Sequence, residues 1–478
     1  MPETPTPNEN NNSHWRAFLP ISLVAVITTL DSSVVNVSLP VISEQLHAGI
    51  GIVEWVVMAY LLTITGLMMI SGRIGDLRGR RRIYQAGIIL FTASSALCGF
   101  AVNIYMLIAS RALQGVGAAL ITGNGPALIG EIFPKESRGK ALGLFGMVVA
   151  FGLSTGPAVG GFITGWLGWR YIFYLNLPLG ILAAILVRRN LRADTVFSKS
   201  RFDIAGGISM ALGLLCLLLT LSRGSDWGWT SPIIVVLFAA ALIILIHFVR
   251  TELRVSDPVL DLRLFSNLSF RSAALAGVLG FTSLFAQTFL LPFYLIQLRH
   301  FPPQHAGLFL MAVPLIMSVV SPTSGSLSDK IGTRGISAAG LLFQGIGFLL
   351  LSSLQVHTSE LTIFSFLLVI GLGTATFNAP NNSELLSSVP KHRLGNAAGM
   401  MGLTRTFGMV CGIALSSAVF NGVSSYLAHN ASDTHPPDFA FIGGLRWAFW
   451  FAAAMAWLGA IIVWQRGAGA QTDPEKAN

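Results

Sequence analysis

Two ionisable side chains stand alone in long apolar stretches of this 478-residue chain. Asp31 lies in ITTLDSSVVNVSL (residues 27–39), and Arg111 lies in IASRALQGVG (residues 108–117). A charge at the centre of a bilayer costs roughly 3 kcal/mol on insertion scales, so it normally has a partner or faces a water-filled cavity. An acid that meets a cation in such a place can bind and release a proton.

Helix geometry predicts that these two charges lie at the same depth. With a rise of about 1.5 Å per residue, Asp31 lies ~8 Å below the outer edge of a ~30 Å hydrocarbon core, and Arg111 lies ~9 Å below it. Small and polar side chains share a face with each charge, among them Asn36 and Gln114. We therefore expect an ion pair beside a wet cavity. Because a nearby cation and burial act in opposite directions on the ionisation of a carboxylate, a cavity that opens alternately to each side would let Asp31 load and release a proton.

A static role for this pair is the alternative. A buried ion pair that only fixes helix packing would contain the same residues, and such a pair is weak evidence of stability. No histidine competes for the proton role, because all nine lie in loops, in the tails or near helix ends. Two interpretations follow: Asp31 is a proton carrier with Arg111 and Gln114 as partners, or it is a packing element.

The composition indicates which elements hold these residues. Hydrophobic residues make up 53% of the chain and charged residues only 11%, whereas soluble domains carry about 25% charged residues. Fourteen apolar runs of about 20 residues, the length that crosses a bilayer, follow one another. We expect an all-α integral membrane protein with 14 transmembrane helices. We expect no enzyme, because the chain contains no H-E-x-x-H and no Walker sequence.

The basic residues are distributed unevenly between the loops. Most of the 30 Lys and Arg residues fall at the termini and in the loops that follow even-numbered helices. Positively charged loops stay in the cytoplasm, so we expect both termini there. The net charge of +9 therefore reflects topology, and we expect no nucleic-acid partner.

An internal repeat divides the chain. The spacing G-x3-D-x2-G-x-R occurs twice, 253 residues apart, and a second set of glycines and a proline repeats at an offset of 256 residues. Both offsets carry one helix onto the helix eight places later, so two six-helix halves flank a two-helix insert. Secondary transporters are commonly built from such repeats. The predicted units are a disordered cytoplasmic tail (1–15), a six-helix bundle (16–190), a linker with two additional helices (191–265), a second six-helix bundle (266–466) and a cytoplasmic tail (467–478).

Aromatic residues in the second half predict a substrate cavity. Phenylalanines recur on one face of the ninth helix, and an apolar, aromatic pocket with few polar groups suits flat lipophilic molecules. The alternative is that these rings face lipid. The residues expected at this cavity are Asn36, Phe281, Phe285, Gln287, Phe289, Phe377, Asn378, Asn381, Arg405 and Phe407.

Arg405 is a second cation within an apolar run, and no acid lies at its depth. It either acts on the substrate or on gating, or it donates hydrogen bonds to carbonyls and to the amides of the twelfth helix, including Asn378 and Asn381. Both roles remain open.

The fifth helix carries Gly152, Gly156 and Gly160 at intervals of four residues, which we call the glycine strip, with Pro157 among them. Small residues at this spacing let another helix approach closely, and proline removes a backbone hydrogen bond and kinks the helix. We expect a helix of the other half to pack on this strip. A packing role without a part in transport is the alternative.

Five stretches, in order along the chain, carry a resemblance to a known family. GRIGDLRGRRR, RALQGVGAAL and GLSTGPAVGG resemble signature motifs of the major facilitator superfamily. LDSSVVNVSLP and WRYIFYLNLPLG resemble its fourteen-helix drug:proton antiporter branch, the EmrB/QacA type. The resemblance implies the major facilitator fold with helices arranged as 6 + 2 + 6. It also implies proton-coupled multidrug efflux by alternating access, with no cofactor because the proton gradient drives transport.

The same resemblance assigns roles to two motifs. In the loop after the second helix and in its repeat, it implies a conformational latch, in which Asp76 caps the next helix and the arginines pair with neighbouring helix ends. A purely topological role for the arginines is the alternative. The latch residues are Gly72, Arg73, Asp76, Arg78, Gly79, Arg80, Asp329 and Arg334, and the antiporter motif is Gly152, Gly156, Pro157, Gly160 and Gly161.

The resemblance also implies the substrates and the setting. The tenth helix lacks the acid that relatives handling divalent cations place there, so monocationic or neutral lipophilic substrates are expected. We expect a monomer in the bacterial cytoplasmic membrane that carries these compounds and protons, with room for an accessory export partner. The alternative is an exporter of one specific metabolite, siderophore, lipid or antibiotic, or a solute importer, in the same fold.

Overall fold

The computed structural model describes residues 7–191, 204–255, 262–389, 394–430 and 438–466. The predicted C-terminal tail (467–478) and parts of the 191–265 linker lie outside these residues. The first helix begins at Pro7, within the predicted N-terminal tail, since extending an existing helix costs far less than starting one. The helices, numbered here along the chain, are α1 Pro7–Gln45, α2 Ile50–Arg78, α3 Arg80–Gly99, α4 Ile104–Ile132, α5 Lys135–Trp166, α6 Arg170–Asn190, α7 Ile204–Trp227, α8 Pro232–Glu252, α9 Leu268–Leu298, α10 Pro303–Ile331, α11 Thr333–Ser352, α12 Glu360–Ser387, α13 Leu394–Asn430 and α14 Phe439–Gln465.

The prediction of an all-helical membrane protein is confirmed. Within the described residues, 13 helices are long and apolar enough to cross a membrane. The remaining helix, α3, has 20 residues but begins with three arginines, Arg80 to Arg82, which lower its mean hydropathy. It packs against α4 and α6 like a member of the bundle.

Helix contacts recur along the chain. In the first half α1 packs on α5 and α6, α4 packs on α2 and α3, and α3 packs on α6. Eight helices later α9 packs on α13 and α14, α12 packs on α10 and α11, and α11 packs on α14. The α7–α8 hairpin has no such counterpart. Its helix α7 packs on both α2 and α13, so it covers the line along which these two helices meet.

The glycine strip faces a different helix from the one expected. A Cβ atom on Gly160 would lie 2.6 Å from the carbonyl oxygen of Val34, and one on Gly152 would lie 3.1 Å from that of Val26. Both partners are in α1, which belongs to the same half, so the expectation of a partner from the other half is wrong. Small residues show that a helix approaches closely, but not which helix does so.

A second face of this motif, with Pro157 and Gly161, reaches the other half, since the Cβ position of Gly307 in α10 lies against the carbonyl oxygen of Pro157. Gly161 of α5 meets α10, where its Cβ position lies 3.1 Å from the Cα atom of Gly307. Gly143 lies 18 residues earlier on the same helix, five full turns at 3.6 residues per turn, and therefore shares the face of Gly161. A Cβ there would meet nothing within 4 Å. Helices α5 and α10 thus touch at one end of the bundle and diverge toward the other.

The two ends of the bundle differ accordingly. We call the end that carries the turns at Gly79 and Gly332 the basic face, and the other end the opposite face. Besides the α5–α10 contact, the amide of Gln297 in α9 donates to the carbonyl of Pro40 in α1 over 3.4 Å, again near the opposite face. Helices α4 and α12 do not pack substantially on one another. Along α5 and α10 the two halves therefore touch near the opposite face and separate toward the basic face. Helices α2 and α13 remain in contact, with 3.0 Å between Cε of Met68 and the Cβ position of Gly402.

The close contact between α1 and α5 predicts a specific loss of stability. Replacing Gly160 with valine should lower the unfolding midpoint of the purified protein, because overpacking at a backbone contact costs about 1–3 kcal/mol. The matched control is Gly146→Val on the same helix, where a Cβ meets nothing within 4 Å. Thermal unfolding in detergent, followed by intrinsic fluorescence, measures both. Equal midpoints for the two variants would contradict the packing described here.

Candidate functional site

Asp31 and Arg111 form the centre of a buried polar cluster in the first half. Nη1 of Arg111 donates to Oδ2 of Asp31 over 2.6 Å. Two amides donate to the other carboxylate oxygen, Asn176 over 2.7 Å and Gln114 over 3.1 Å. The side chain of Arg111 is 0% exposed and that of Asp31 is 1% exposed. The carboxylate therefore has three donors and no contact with solvent in this conformation.

The guanidinium of Arg111 is held as firmly as the acid. Its Nε donates to the carbonyl of Val56 over 3.0 Å, and its Nη1 also donates to Oε1 of Gln114 over 2.7 Å. The ring of Tyr60 lies against its flat side, with 4.0 Å from Cζ to the ring centroid. Only Nη2 is buried without a hydrogen-bond partner. Helices α1, α2, α4 and α6 all contribute to this cluster.

Sequence reasoning overlooked Asn176. Its amide bridges Asp31 and the hydroxyl of Ser95, which lies 3.0 Å away in α3. Asn176 begins the second part of α6, after a helix break at Leu175. The signal was present in WRYIFYLNLPLG, where Asn176 is the one amide and follows a run of apolar and aromatic residues. A single polar residue has no periodicity, however, and so gives no direction for its side chain.

The expected wet cavity does not reach this cluster. Asn36, expected to line it, is buried and donates to the carbonyl of Ser32 over 3.3 Å, while its own Oδ1 has no partner. Asn176 closes the cluster from α6, and Tyr60 covers the guanidinium from α2. In this conformation the cluster is therefore enclosed by protein.

A second set of charges lies at the basic face of the first half. Arg80 contacts Asp76 with 2.7 Å between Nη2 and Oδ1, and Glu131 with 2.8 Å between Nη1 and Oε1. Nη1 of Arg73 lies 3.5 Å from Oδ2 of Asp76. Because Asp76 is engaged in this way, it does not cap α3, and the capping prediction is wrong. The residue before α3 is Gly79, which adopts a φ of 101° that favours glycine.

The remaining latch residues of the first half do not join this set. Gly72 packs closely on α4, where its Cβ position lies 2.9 Å from the carbonyl oxygen of Gly123. Arg78 is exposed at the end of α2. Arg81 donates to the carbonyl of Arg188 at the end of α6 over 2.8 Å. The contacts therefore tie α2, α3, α4 and α6 together within one half.

The repeat at the basic face of the second half uses different residues. Asp329 is exposed and makes no ion pair with any described residue, because Thr333 stands where Arg80 stands in the first half. Thr333 instead donates to Glu384 over 2.5 Å, and Arg466 contacts the same carboxylate at 3.0 Å. Arg334 donates to the carbonyl of Trp464, as Arg81 does to that of Arg188. The prediction of a latch at Asp329 is thus wrong for this conformation.

Two of the expected cavity aromatics lie elsewhere. Phe289 is fully buried, with 5.4 Å between its ring centroid and that of Phe293. Phe377 packs among Leu341 and other residues between α9, α11, α12 and α14. A helix buried on several sides shows no periodicity that separates a cavity wall from a packed core, so the sequence could not distinguish these rings. Gln287 is likewise buried.

The other expected cavity residues remain partly exposed. Phe281 and Phe285 flank the contact between α9 and α13, with Cβ atoms 2.8 and 2.9 Å from the Cβ positions of Gly408 and Gly412. Phe407 and Asn378 are partly exposed as well, whereas Asn381 is buried. Arg405 is partly exposed, its Nε is buried, and it makes no hydrogen bond or ion pair with a described residue.

Glycine contacts show which residues of α9 correspond to those of α1, a correspondence that the repeated sequence motifs do not give. Gly156 of α5 contacts Ser33, and Gly412, 256 residues later in α13, contacts Phe285. Helix α9 therefore follows α1 at an offset of 252 residues, which brings Ser283 to the position of Asp31. The second half has the same packing but no carboxylate at this position.

Comparisons with known proteins agree with this architecture. Residues 21–413 match the family model of the Major Facilitator Superfamily. The riboflavin transporter RibZ of Clostridioides difficile (strain 630) is 32% identical over 94% of this chain and 96% of that protein. The multidrug transporter protein MdtP of Bacillus subtilis (strain 168) is 35% identical over 84% of this chain and 74% of its own length. The multidrug resistance protein Stp of Mycobacterium tuberculosis is 32% identical over 86% and 76%.

Solved structures share the fold at low sequence identity. A bacterial homologue of the human lysosomal transporter Spinster, in an inward-facing and unoccupied conformation, superposes with a TM-score of 0.71 over 95% of this chain and 97% of that chain, at 15% identity. The xylose transporter XylE from E. coli superposes with a TM-score of 0.63 over 96% and 98%, also at 15% identity.

The buried ion pair predicts a non-additive effect on stability. Arg111→Leu should destabilise the protein by about 3–5 kcal/mol, because it leaves the Asp31 carboxylate buried without its cation. Adding Asp31→Leu should recover much of that loss, since the pair is then replaced by apolar side chains. Unfolding midpoints of the two single variants and the double variant measure this. A double variant less stable than Arg111→Leu would contradict it.

Proposed function

Because the chain belongs to the Major Facilitator Superfamily, we propose that it is a proton-coupled exporter of small lipophilic compounds that works by alternating access. The observation that carries this proposal is the buried pair of Asp31 and Arg111. An ionisable group inside a membrane is costly and commonly marks an ion or proton pathway. The pair occurs in only one of the two halves, although both halves have the same helix packing. This difference supports a role for the pair beyond packing.

We further propose the fourteen-helix drug:proton antiporter type, arranged as six, two and six helices. The recurring helix contacts support the two halves, and the position of α7 over α2 and α13 supports an added hairpin. The distribution of Lys and Arg supports an orientation with both termini in the cytoplasm. On this orientation the basic face is cytoplasmic, and the separation of α5 from α10 at that face supports an inward-open conformation. The location would be a bacterial cytoplasmic membrane and the functional unit a monomer, with an accessory export partner optional.

The proposed cycle uses the change in surroundings of Asp31. In the present conformation the carboxylate is satisfied by Arg111, Gln114 and Asn176. When the halves rock toward the opposite orientation, α1 shifts relative to α4 and α6, and water reaches the acid. A proton then binds Asp31, and it is released on the cytoplasmic side when Arg111 re-forms the ion pair. Each pH unit across the membrane supplies about 1.4 kcal/mol, enough for a tenfold gradient of a compound exchanged one for one.

The charge networks at the basic face are proposed to hold the helices that they connect in each half together while α1 moves. The contacts of Arg80 with Asp76 and Glu131 join α2, α3 and α4, and the contacts of Glu384 join α11, α12 and the end of α14. No cofactor is required in this cycle. The antiporter motif would act through Gly161, which meets Gly307 of α10 where the halves touch.

The names of two relatives support a range of lipophilic substrates. MdtP and Stp are described as multidrug proteins, and the partly exposed Phe281, Phe285 and Phe407 offer aromatic surface for flat molecules. Monocationic and neutral compounds are both compatible with the sequence. The carboxylate of Asp31 is already paired with Arg111, which argues against its binding a cationic substrate in this conformation.

A second candidate function rests on RibZ, the riboflavin transporter, which matches nearly the whole chain. A transporter of one specific metabolite would have the same fold and the same buried pair. Substrate profiling separates the two candidates: export of chemically unrelated compounds supports the first, and export or import of a single compound supports the second.

Removing the titratable group should uncouple transport from the proton gradient. In inside-out vesicles, addition of a transported substrate should release protons with the natural protein. Asp31→Asn should lose this proton release and substrate accumulation, while facilitated movement down a gradient persists. The matched control is Glu44→Gln at the exposed end of the same helix. Undiminished proton-driven accumulation by Asp31→Asn would leave only the static role for the pair.

A further inference from the structure

We infer that Arg405 binds an acidic oxygen group of the substrate, so that the preferred cargo is an apolar aromatic molecule with one carboxylate or similar anionic group. This inference rests on the proposed export function and names the substrate class for it. Arg405 lies 11 residues after Leu394, the first residue of α13, or ~16 Å along the helix. That distance is close to the middle of the membrane.

The first observation is that no described residue provides a counter-ion for Arg405. Its Nε is buried with no hydrogen-bond partner, and it forms no ion pair within the described residues. The comparable cation Arg111 has a carboxylate, an amide, a carbonyl and an aromatic ring around it. Arg446 is also without an ion pair in the part of the chain that the structure describes, but it is exposed about two turns from the start of α14 and can extend to the interface. Arg405 has no such route.

The second observation concerns the residues beside Arg405. Thr404 and Asn381 meet at Gly277 of α9, where their side-chain atoms lie 3.6 and 3.4 Å from the glycine Cβ position. One turn further along α13, Gly408 contacts Phe281. Along α13, Arg405 therefore lies between the level of the polar pair Thr404 and Asn381 and the level of the partly exposed ring of Phe281, which is nearer the opposite face. This combination fits a molecule with a flat apolar body and one polar, acidic end.

The chemistry of arginine favours an oxygen acid. A guanidinium presents its donors as a planar fork that matches the two oxygens of a carboxylate, and it remains charged throughout the physiological range. A substrate that brings its own negative charge would compensate Arg405 while bound. A cationic substrate would instead add a like charge beside an uncompensated one. Asp31 cannot serve as the counter-ion of Arg405, because it lies in the other half and accepts hydrogen bonds from three donors there.

The inference has an energetic consequence for transport. Export of a monoanion from a cell with a negative interior is favoured by the membrane potential. A proton that enters in exchange also moves positive charge inward, so the two movements add electrically. Transport of an anion by this protein should therefore generate current, whereas exchange of one proton for a monovalent cation would not.

Equilibrium binding to the full-length protein in lipid nanodiscs tests the inference without any gradient. The probes are naphthalene-2-carboxylate, naphthalene-2-carboxamide and 2-naphthylmethylammonium, which share one ring system and differ in charge. Titration calorimetry should rank the carboxylate as the tightest. Arg405→Gln should weaken carboxylate binding at least tenfold and change carboxamide binding less than twofold, and Arg405→Lys should recover part of the loss. Arg271→Gln, an equal change of charge at the exposed start of α9, should leave all three affinities unchanged.

Two results would overturn the inference. One is the lack of a carboxylate preference in the unmodified protein, which needs no variant and so does not depend on how Arg405→Gln folds. The other is an unchanged preference in a folded Arg405→Gln. Failure of proton-driven export in vesicles would refute the proposed function but would leave this binding difference intact, so the two outcomes are distinguishable.

Discussion

Charges placed inside a membrane must be compensated where they stand, and this requirement organises the first half of the molecule. The carboxylate of Asp31 collects donors from two other helices, and Arg111 is enclosed by the carbonyl of Val56 and the ring of Tyr60. Four helices are held in fixed relation by this one cluster. Any step that hydrates or protonates the acid also loosens the contacts among these helices, so ionisation and helix position are coupled by the packing itself.

The two halves share a scaffold but not a chemistry. Glycine contacts between α1 and α5 recur between α9 and α13, yet Ser283 takes the position of Asp31. At the basic face Thr333 takes the position of Arg80, and a cation from the end of α14, Arg466, completes the contact to Glu384. Close packing constrains residue size at every repeat, whereas charge is required only where it is used. The repeat accordingly keeps small residues where helices touch, including Ser416 in place of Gly160, while the ionisable residues differ.

Much of this could be predicted from the sequence, for reasons that are physical. The fixed rise of a helix placed Asp31 and Arg111 at one depth, and their side chains lie within hydrogen-bond distance. Hydropathy predicted the helices, and loop charge predicted their orientation in the membrane. The features that were missed depend on which way a side chain points. Small residues do not reveal which helix packs on them, and a lone amide such as Asn176 does not show which neighbouring helix its side chain faces. Rings such as Phe289 and Phe377 look the same in a core as at a cavity wall.

The hairpin of α7 and α8 covers one side of the contact between the two halves. Helix α7 lies across the meeting line of α2 and α13, and Met210 of α7 belongs to the same apolar cluster as Met69 and Met400 of those helices. These side chains fill the space between α2, α7 and α13. On the far flank α5 and α10 separate toward the basic face, beside the bare backbone at Gly143. Within the described residues, the space between the halves is therefore open to the side between α5 and α10, and α7 covers it at α2 and α13.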